Sequence, residues 1–130
     1  MTESVAKWLE GWAGDGIQVL CECTELKPGR MGVYRKGCVG EQEYPDGTKE
    51  KTYRFGIEMC FWAQSAADRA ANLAALRGLE EWIRQQDVEE KFPDVDGECW
   101  RAELAGGFVL KKSGLLECVY GAALDLYVTE

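Results

Sequence analysis

An α+β fold is predicted: a mainly antiparallel sheet of four to five strands packed against two helices, in the order α-β-β-β-α-β-β. Three observations lead to it. Segments with a two-residue apolar period outnumber segments with a helical period. Only one helical segment lies between groups of strands, which excludes the alternating pattern of a parallel sheet. And 130 residues, 46% of them hydrophobic, suffice for one core and one domain, residues 1–130.

In chain order, Val5, Trp8, Leu9 and Trp12 fall at i, i+3, i+4 and i+7 and define the face of a first helix over 3–12. Thr2 is placed to cap it, and Gly14-Asp15-Gly16 to stop it. Both tryptophans are expected to pack on the domain's own sheet. Ile17, Val19, Cys21 and Cys23 alternate with Gln18, Leu20, Glu22 and Thr24 as a first strand, and Glu25 to Arg30 is a loop around Pro28-Gly29. Met31 to Tyr44 is strand-prone, with Gly32, Gly37 and Gly40 favouring a bend or bulge. Pro45-Asp46-Gly47 signals a tight reversal. Beyond it Tyr53, Phe55, Ile57, Met59 and Phe61 share the core face of a strand, leaving Thr52, Arg54, Gly56 and Glu58 on the other face.

Ser65 caps a second helix, with Asp68 three residues on, and the helix runs to about Gln86. Ala75, Leu76, Leu79, Trp82 and Ile83 form its apolar arc; on the solvated arc Glu80 and Arg84 make an i,i+4 pair. Asp87 to Gly97 reads as a solvated acidic loop, Cys99 to Leu104 as a strand, Gly106-Gly107 as a kink and Ser113-Gly114 as a turn. In the closing strand Leu116, Cys118, Tyr120, Ala122, Leu124, Leu126 and Val128 share one face.

Composition narrows the chemistry. The absence of histidine removes the Ser-His-Asp and Cys-His pairings and the commonest zinc ligand. A formal net charge of −8 argues against binding nucleic acid through phosphate neutralisation. No segment reaches the roughly 18–20 apolar residues of a bilayer span. Met1 to Asp15 lacks the basic-then-apolar pattern of a secretory signal. The six cysteines, at 21, 23, 38, 60, 99 and 118, sit mostly in apolar strands without a Cys-x-x-Cys; they are expected to be reduced, buried small hydrophobes in a cytoplasmic protein. A calcium loop counted from Asp94 fails, since its twelfth position is Ala105 rather than glutamate. Gly106-Gly107 lacks the phosphate-loop pattern, and no serine has a base beside it. Neither enzyme activity, cofactor nor metal is expected.

From Tyr44 to Tyr127 the chain resembles the tail terminator or minor capsid proteins of long-tailed phages and prophages of Gram-positive bacteria. The matching pieces are Tyr44-Pro45-Asp46-Gly47 leading to Tyr53-Arg54-Phe55, the helix carrying Asn72, Leu76 and Trp82, then Phe92-Pro93, Gly97, Gly106-Gly107-Phe108, and Tyr120, Leu124, Leu126 and Tyr127. The resemblance implies a homo-oligomeric ring, typically a hexamer, that caps the tail tube and presents a surface to the head. Its implied partners are the tail-tube protein and head-tail connector proteins, with DNA only as cargo passing through. Assembly would take place in the host bacterial cytoplasm, and the product would sit in the virion at the tail-head junction.

A ring of identical subunits needs a heterologous interface. The candidate residues for it are Thr52, Arg54 and Glu58 on the uncovered sheet face, Lys27 and Arg30 of the first loop, and Lys111 and Lys112; the edge strand from Met31 to Tyr44 is a further candidate. The four basic residues outside the sheet face set positive charge against an otherwise acidic surface, which suits head-to-tail pairing. An alternative is a small acidic dimeric binding module like the secretion chaperones, although those end in a helix and this chain ends in a strand at Tyr127-Val128. A thiol-redox enzyme would rest on the cysteines and acidic pairs alone.

Overall fold

Apolar alternation along the chain builds one curled, six-stranded sheet with both helices on the same face, in a computed structural model that describes residues 1–130. The elements are α1 (Thr2–Ala13), β1 (Gln18–Cys21), β2 (Arg30–Glu43), β3 (Lys49–Trp62), α2 (Ala66–Val88), β4 (Glu98–Leu104), β5 (Val109–Ser113) and β6 (Glu117–Thr129). The α+β class and the order of helices and strands hold. The sheet has six strands because Gly106-Gly107 divides one side of β6 between two short partners: β4 pairs with its Leu124–Thr129 end, β5 with its Cys118–Gly121 end. On its other side β6 pairs with β3 from Glu50↔Thr129 to Trp62↔Glu117 without a register break.

The core is the helix-facing side of this ladder. Met31, Val33, Phe55, Ile57, Met59, Leu124, Leu126 and Val128 meet Val5 and Leu9 of α1 and Leu76, Leu79 and Ile83 of α2. Of the expected arc of α2, Leu76, Leu79 and Ile83 are in the core, Trp82 packs against it, and Ala75 is only half-buried. Asn72, also buried, donates its side-chain amide to the Trp62 carbonyl at 2.9 Å and ties the helix to the end of β3. The Ser65 hydroxyl accepts from the Asp68 amide at 3.1 Å, while the Asp68 carboxylate accepts from the Gln64 amide at 3.0 Å, so the capping arrangement read from the sequence is present.

Several local expectations are corrected. Thr2 is the first residue of α1 rather than its cap; Met1 holds that place, with no side-chain cap. Trp8 and Trp12 pack against the core as expected, and Trp8 adds a contact from helix to helix. The Trp8 and Trp82 rings lie 5.0 Å apart, and the Trp8 indole N–H donates to the Lys91 carbonyl at 2.9 Å. Gly11 provides the room, since a Cβ there would stand 3.3 Å from Trp82. Strand β1 ends at Cys21, because Glu22 turns the chain away with φ of 48°. The chain re-enters the sheet as β2 parallel to β1, so the sheet is mixed rather than wholly antiparallel. So brief a return is possible because β1 has only four residues.

Strand β2 is an open edge only beyond Val33, where β1 stops. It carries two register shifts, at Arg35/Gly37 and Cys38/Gly40, as its glycines suggested. These bulges, with Arg35 and Lys36, blunt the edge against further pairing. The i,i+4 pair is absent: Arg84 bonds Glu81 at 2.9 Å, and Glu80 accepts from the Phe108 amide at 3.2 Å. Asp87 is likewise not a solvated loop residue. It lies in the last turn of α2 and accepts from the Ala102 amide at 2.9 Å, closing an outward N–H of β4. Past the acidic segment Gly97, at φ 93°, brings the chain so close to the Thr129 carbonyl that a Cβ would stand 2.6 Å from it. Leu116 falls outside the core face, exposed at the turn before β6.

All six thiols are free, but they are not uniformly buried: Cys60 and Cys118 are, whereas Cys21 lies exposed on the short edge strand and Cys38 on the uncovered part of β2. Burial pushes the Cys60 thiol up to about 11. Alkylation of the native protein at pH 8, followed by peptide mapping, should label Cys21 and Cys38 first and Cys60 and Cys118 only on unfolding. Leu124→Ala should lower stability by about 2–5 kcal/mol in a denaturant titration, because its site at the centre of the core cannot collapse around the cavity.

Candidate functional site

Even-numbered residues of β3 point away from the helices, and with their neighbours on β2, β5 and β6 they form a helix-free face. Its floor is unusually low. Gly56 stands opposite Ala123, and Glu58 opposite Gly121. The Lys36 stem lies over Gly56, where a Cβ would come within 2.9 Å of its Cε; the Lys111 stem lies over Gly121 at 3.0 Å by the same measure. Between these lysines runs an open groove of about 500 Å³, flanked also by Arg54, Glu58 and Val109. Tyr34 folds across Gly32 and donates its hydroxyl to the Cys23 carbonyl at 2.9 Å. Burial, and then the Glu58 carboxylate, push its phenol above the ordinary value, so it stays a neutral donor at physiological pH.

The seven residues singled out from the sequence divide into four sets. Lys27, Arg30 and Lys112 meet in one shallow concavity with Leu26, Trp62 and Glu117. Glu58 and Lys111 lie beside it with Lys36 and Tyr34. Thr52 lies apart, towards the other end of β3, near Trp100 and Tyr127. Arg54 is committed within the subunit. Its guanidinium forks onto the Asp125 carboxylate, its cross-strand neighbour, with Nε–Oδ1 2.8 Å and Nη2–Oδ2 2.9 Å. Asp125 is only 4% exposed, so this bidentate pair satisfies a charge the sheet has taken out of water. The pairing holds the guanidinium above its ordinary pKa.

Sequence reasoning missed the apolar members of this surface. Trp62 is 53% exposed and Leu115 98% exposed, with Leu116 beside it. The Ala63 amide donates to the Leu116 carbonyl at 2.8 Å, which fixes that turn against the end of β3. A signal was present: two consecutive leucines cannot both face the core of a strand, and Trp62 has the parity of the outward residues. Lys36 was missed because a bulge precedes Gly37 and spoils the alternation of β2.

Clusters of three or more His, Cys, Asp or Glu side chains that could hold a metal ion are absent. No helix is long and apolar enough to cross a membrane. Arg54→Ala should lower stability in a denaturant titration, by stranding the nearly buried Asp125 carboxylate. Replacing both partners, as Arg54→Met with Asp125→Leu, should recover most of that loss. No protein-family model matches the chain, and no curated protein is similar to it in sequence.

Proposed function

We infer that the protein is a structural subunit of a phage or prophage tail, assembling with copies of itself into a ring that caps the tail tube and joins tail to head. The one-sided cover of the sheet carries this reading. Both helices lie on one face, while the other, with its glycine floor and lysine margins, carries no helix along β3 and β6. Its end carries Trp62, Leu115 and Leu116 in the open. Exposed apolar groups gathered beside cations are what protein association covers.

The residues behind the family resemblance fit this reading as scaffold. Asn72 holds the end of β3, Gly97 admits the chain to β4, and Phe108 is fixed by Glu80. They preserve the face without themselves being the contact. A ring of six copies, as in the family resembled, needs one heterologous contact repeated until it closes. Its partners are the tail-tube protein and the head-tail connector proteins, met in the host cytoplasm and retained in the virion at the tail-head junction. DNA crosses the ring as cargo. With a net charge of −8, a carboxylate-rich lumen would repel the duplex and let it slide.

Light scattering after size exclusion, repeated with tail-tube protein, tests this. The expected result is a closed oligomer of fixed stoichiometry, near six copies, that binds tube ends and stops their growth. A protein that stays monomeric at high concentration, with and without tube protein, would overturn the proposal.

A further inference from the structure

The β3–β6 register gives the molecule two ends. At one end Trp62 stands opposite Glu117; at the other Glu50 stands opposite Thr129, which also pairs with Glu98 of β4. Fourteen residues of β3 separate the ends by about 45 Å at ~3.3 Å per residue.

The charges sort along this axis. At the Trp62 end lie Lys27, Arg30 and Lys112, none of them in an ion pair. Glu25 and Glu117 line the same concavity, so cations are in modest excess there. Helix α2 begins three residues beyond Ala63 and directs its partial positive charge to this end. At the opposite end are the β2–β3 reversal, with Glu43 and Asp46, and the segment leading into β4, with Asp94, Asp96 and Glu98. These five carboxylates are exposed and also outside every ion pair. Of the nearby lysines, Lys51 is bound to Glu130 at 3.1 Å and Lys91 to Glu89 at 3.8 Å, while Lys49 is outside every ion pair and leaves carboxylates in excess. The acidic end also presents an apolar side chain, Val88, which is 70% exposed.

We propose that the Trp62 end of one copy docks the acidic end of a second copy, with Lys27, Arg30 and Lys112 facing Asp94, Asp96 and Glu98 around an apolar centre of Trp62, Leu115 and Leu116. This rests on the self-assembling reading above and names the contact that assembly would use. A second copy is the occupant because both complementary surfaces belong to the same chain. Each is unsatisfied within its own subunit, and they lie at opposite ends, so neither can meet the other inside one molecule. An exposed tryptophan at an apolar centre rimmed by charge is the composition of a binding hot spot. Opposite charge at the rim sets orientation and rejects the like-charged end.

A charge exchange tests the contact. Lys27→Glu with Lys112→Glu makes both ends acidic; Asp94→Lys with Asp96→Lys turns the Asp94–Glu98 patch that faces them basic. All four positions are exposed, and circular dichroism of each variant is the control for folding. In native mass spectrometry at low salt, each variant alone should lose self-association by at least tenfold. An equimolar mixture should regain it in complexes holding equal numbers of the two. Leu115→Glu should weaken association with little response to salt. Wild-type oligomers that persist in both charge variants, or variants that stay apart on mixing, would overturn the contact and leave the self-assembling reading standing. If acidic tail-tube protein binds the Trp62 end while wild-type chains stay monomeric, both fall.

Discussion

The unbroken ladder between β3 and β6 is the constraint from which the rest of the molecule follows. Thirteen residue pairs in register, from Glu50↔Thr129 to Trp62↔Glu117, align two apolar rows on one face and two short polar rows on the other. The apolar rows decide where the helices sit, because α1 and α2 bury their aliphatic faces nowhere else. The polar rows decide where Arg54 meets Asp125, and so how a carboxylate is tolerated deep in the sheet. A one-residue slip of β6 would exchange its two rows and put Asp125 under the helices, away from Arg54.

Much of this was legible in the sequence because it depends on period. The alternation of Tyr53 to Phe61 and of Cys118 to Val128 named the core side of both ladder strands, and the turn at Pro45-Asp46-Gly47 joined β2 to β3. The long-range polar partners were not legible. Asp87 looks like one carboxylate among many until α2 carries it to the Ala102 amide, and Glu80 until the Gly106-Gly107 kink brings back Phe108. Nothing local distinguishes a solvated glutamate from one that satisfies a backbone N–H fifteen or more residues away. The parallel placement of β1 escaped for a similar reason: it follows from the positive φ at Glu22, a residue type that seldom adopts one.

The candidate surface was legible in its cations and not in its apolar centre. Lys27, Arg30 and Lys112 stand out against a chain of net charge −8. They converge only because the first loop, the start of β2 and the end of β5 reach the same end of the sheet. Trp62 and Leu115 read as core by composition, since large apolar residues usually are; exposure depends on where helix cover ends, which no local pattern encodes. The cysteines were over-assigned to the core for the same reason, two of the six lying beyond that cover.

The position of β6 bears on how the chain acquires its structure over time. Every strand that β6 pairs with precedes it: β3, β4 and β5 are all synthesised before it, yet β4 and β5 have no other partner in the sheet. The helices can form locally as the chain emerges, but the sheet stays open along β3 until β6 arrives and threads between neighbours already made. Pairings of such long sequence separation fold slowly, because loop-closure entropy is lost before any contact compensates for it. Until that moment the apolar row of β3 has no ladder partner on that side, and the nascent chain depends on dilution or a chaperone to stay out of aggregates.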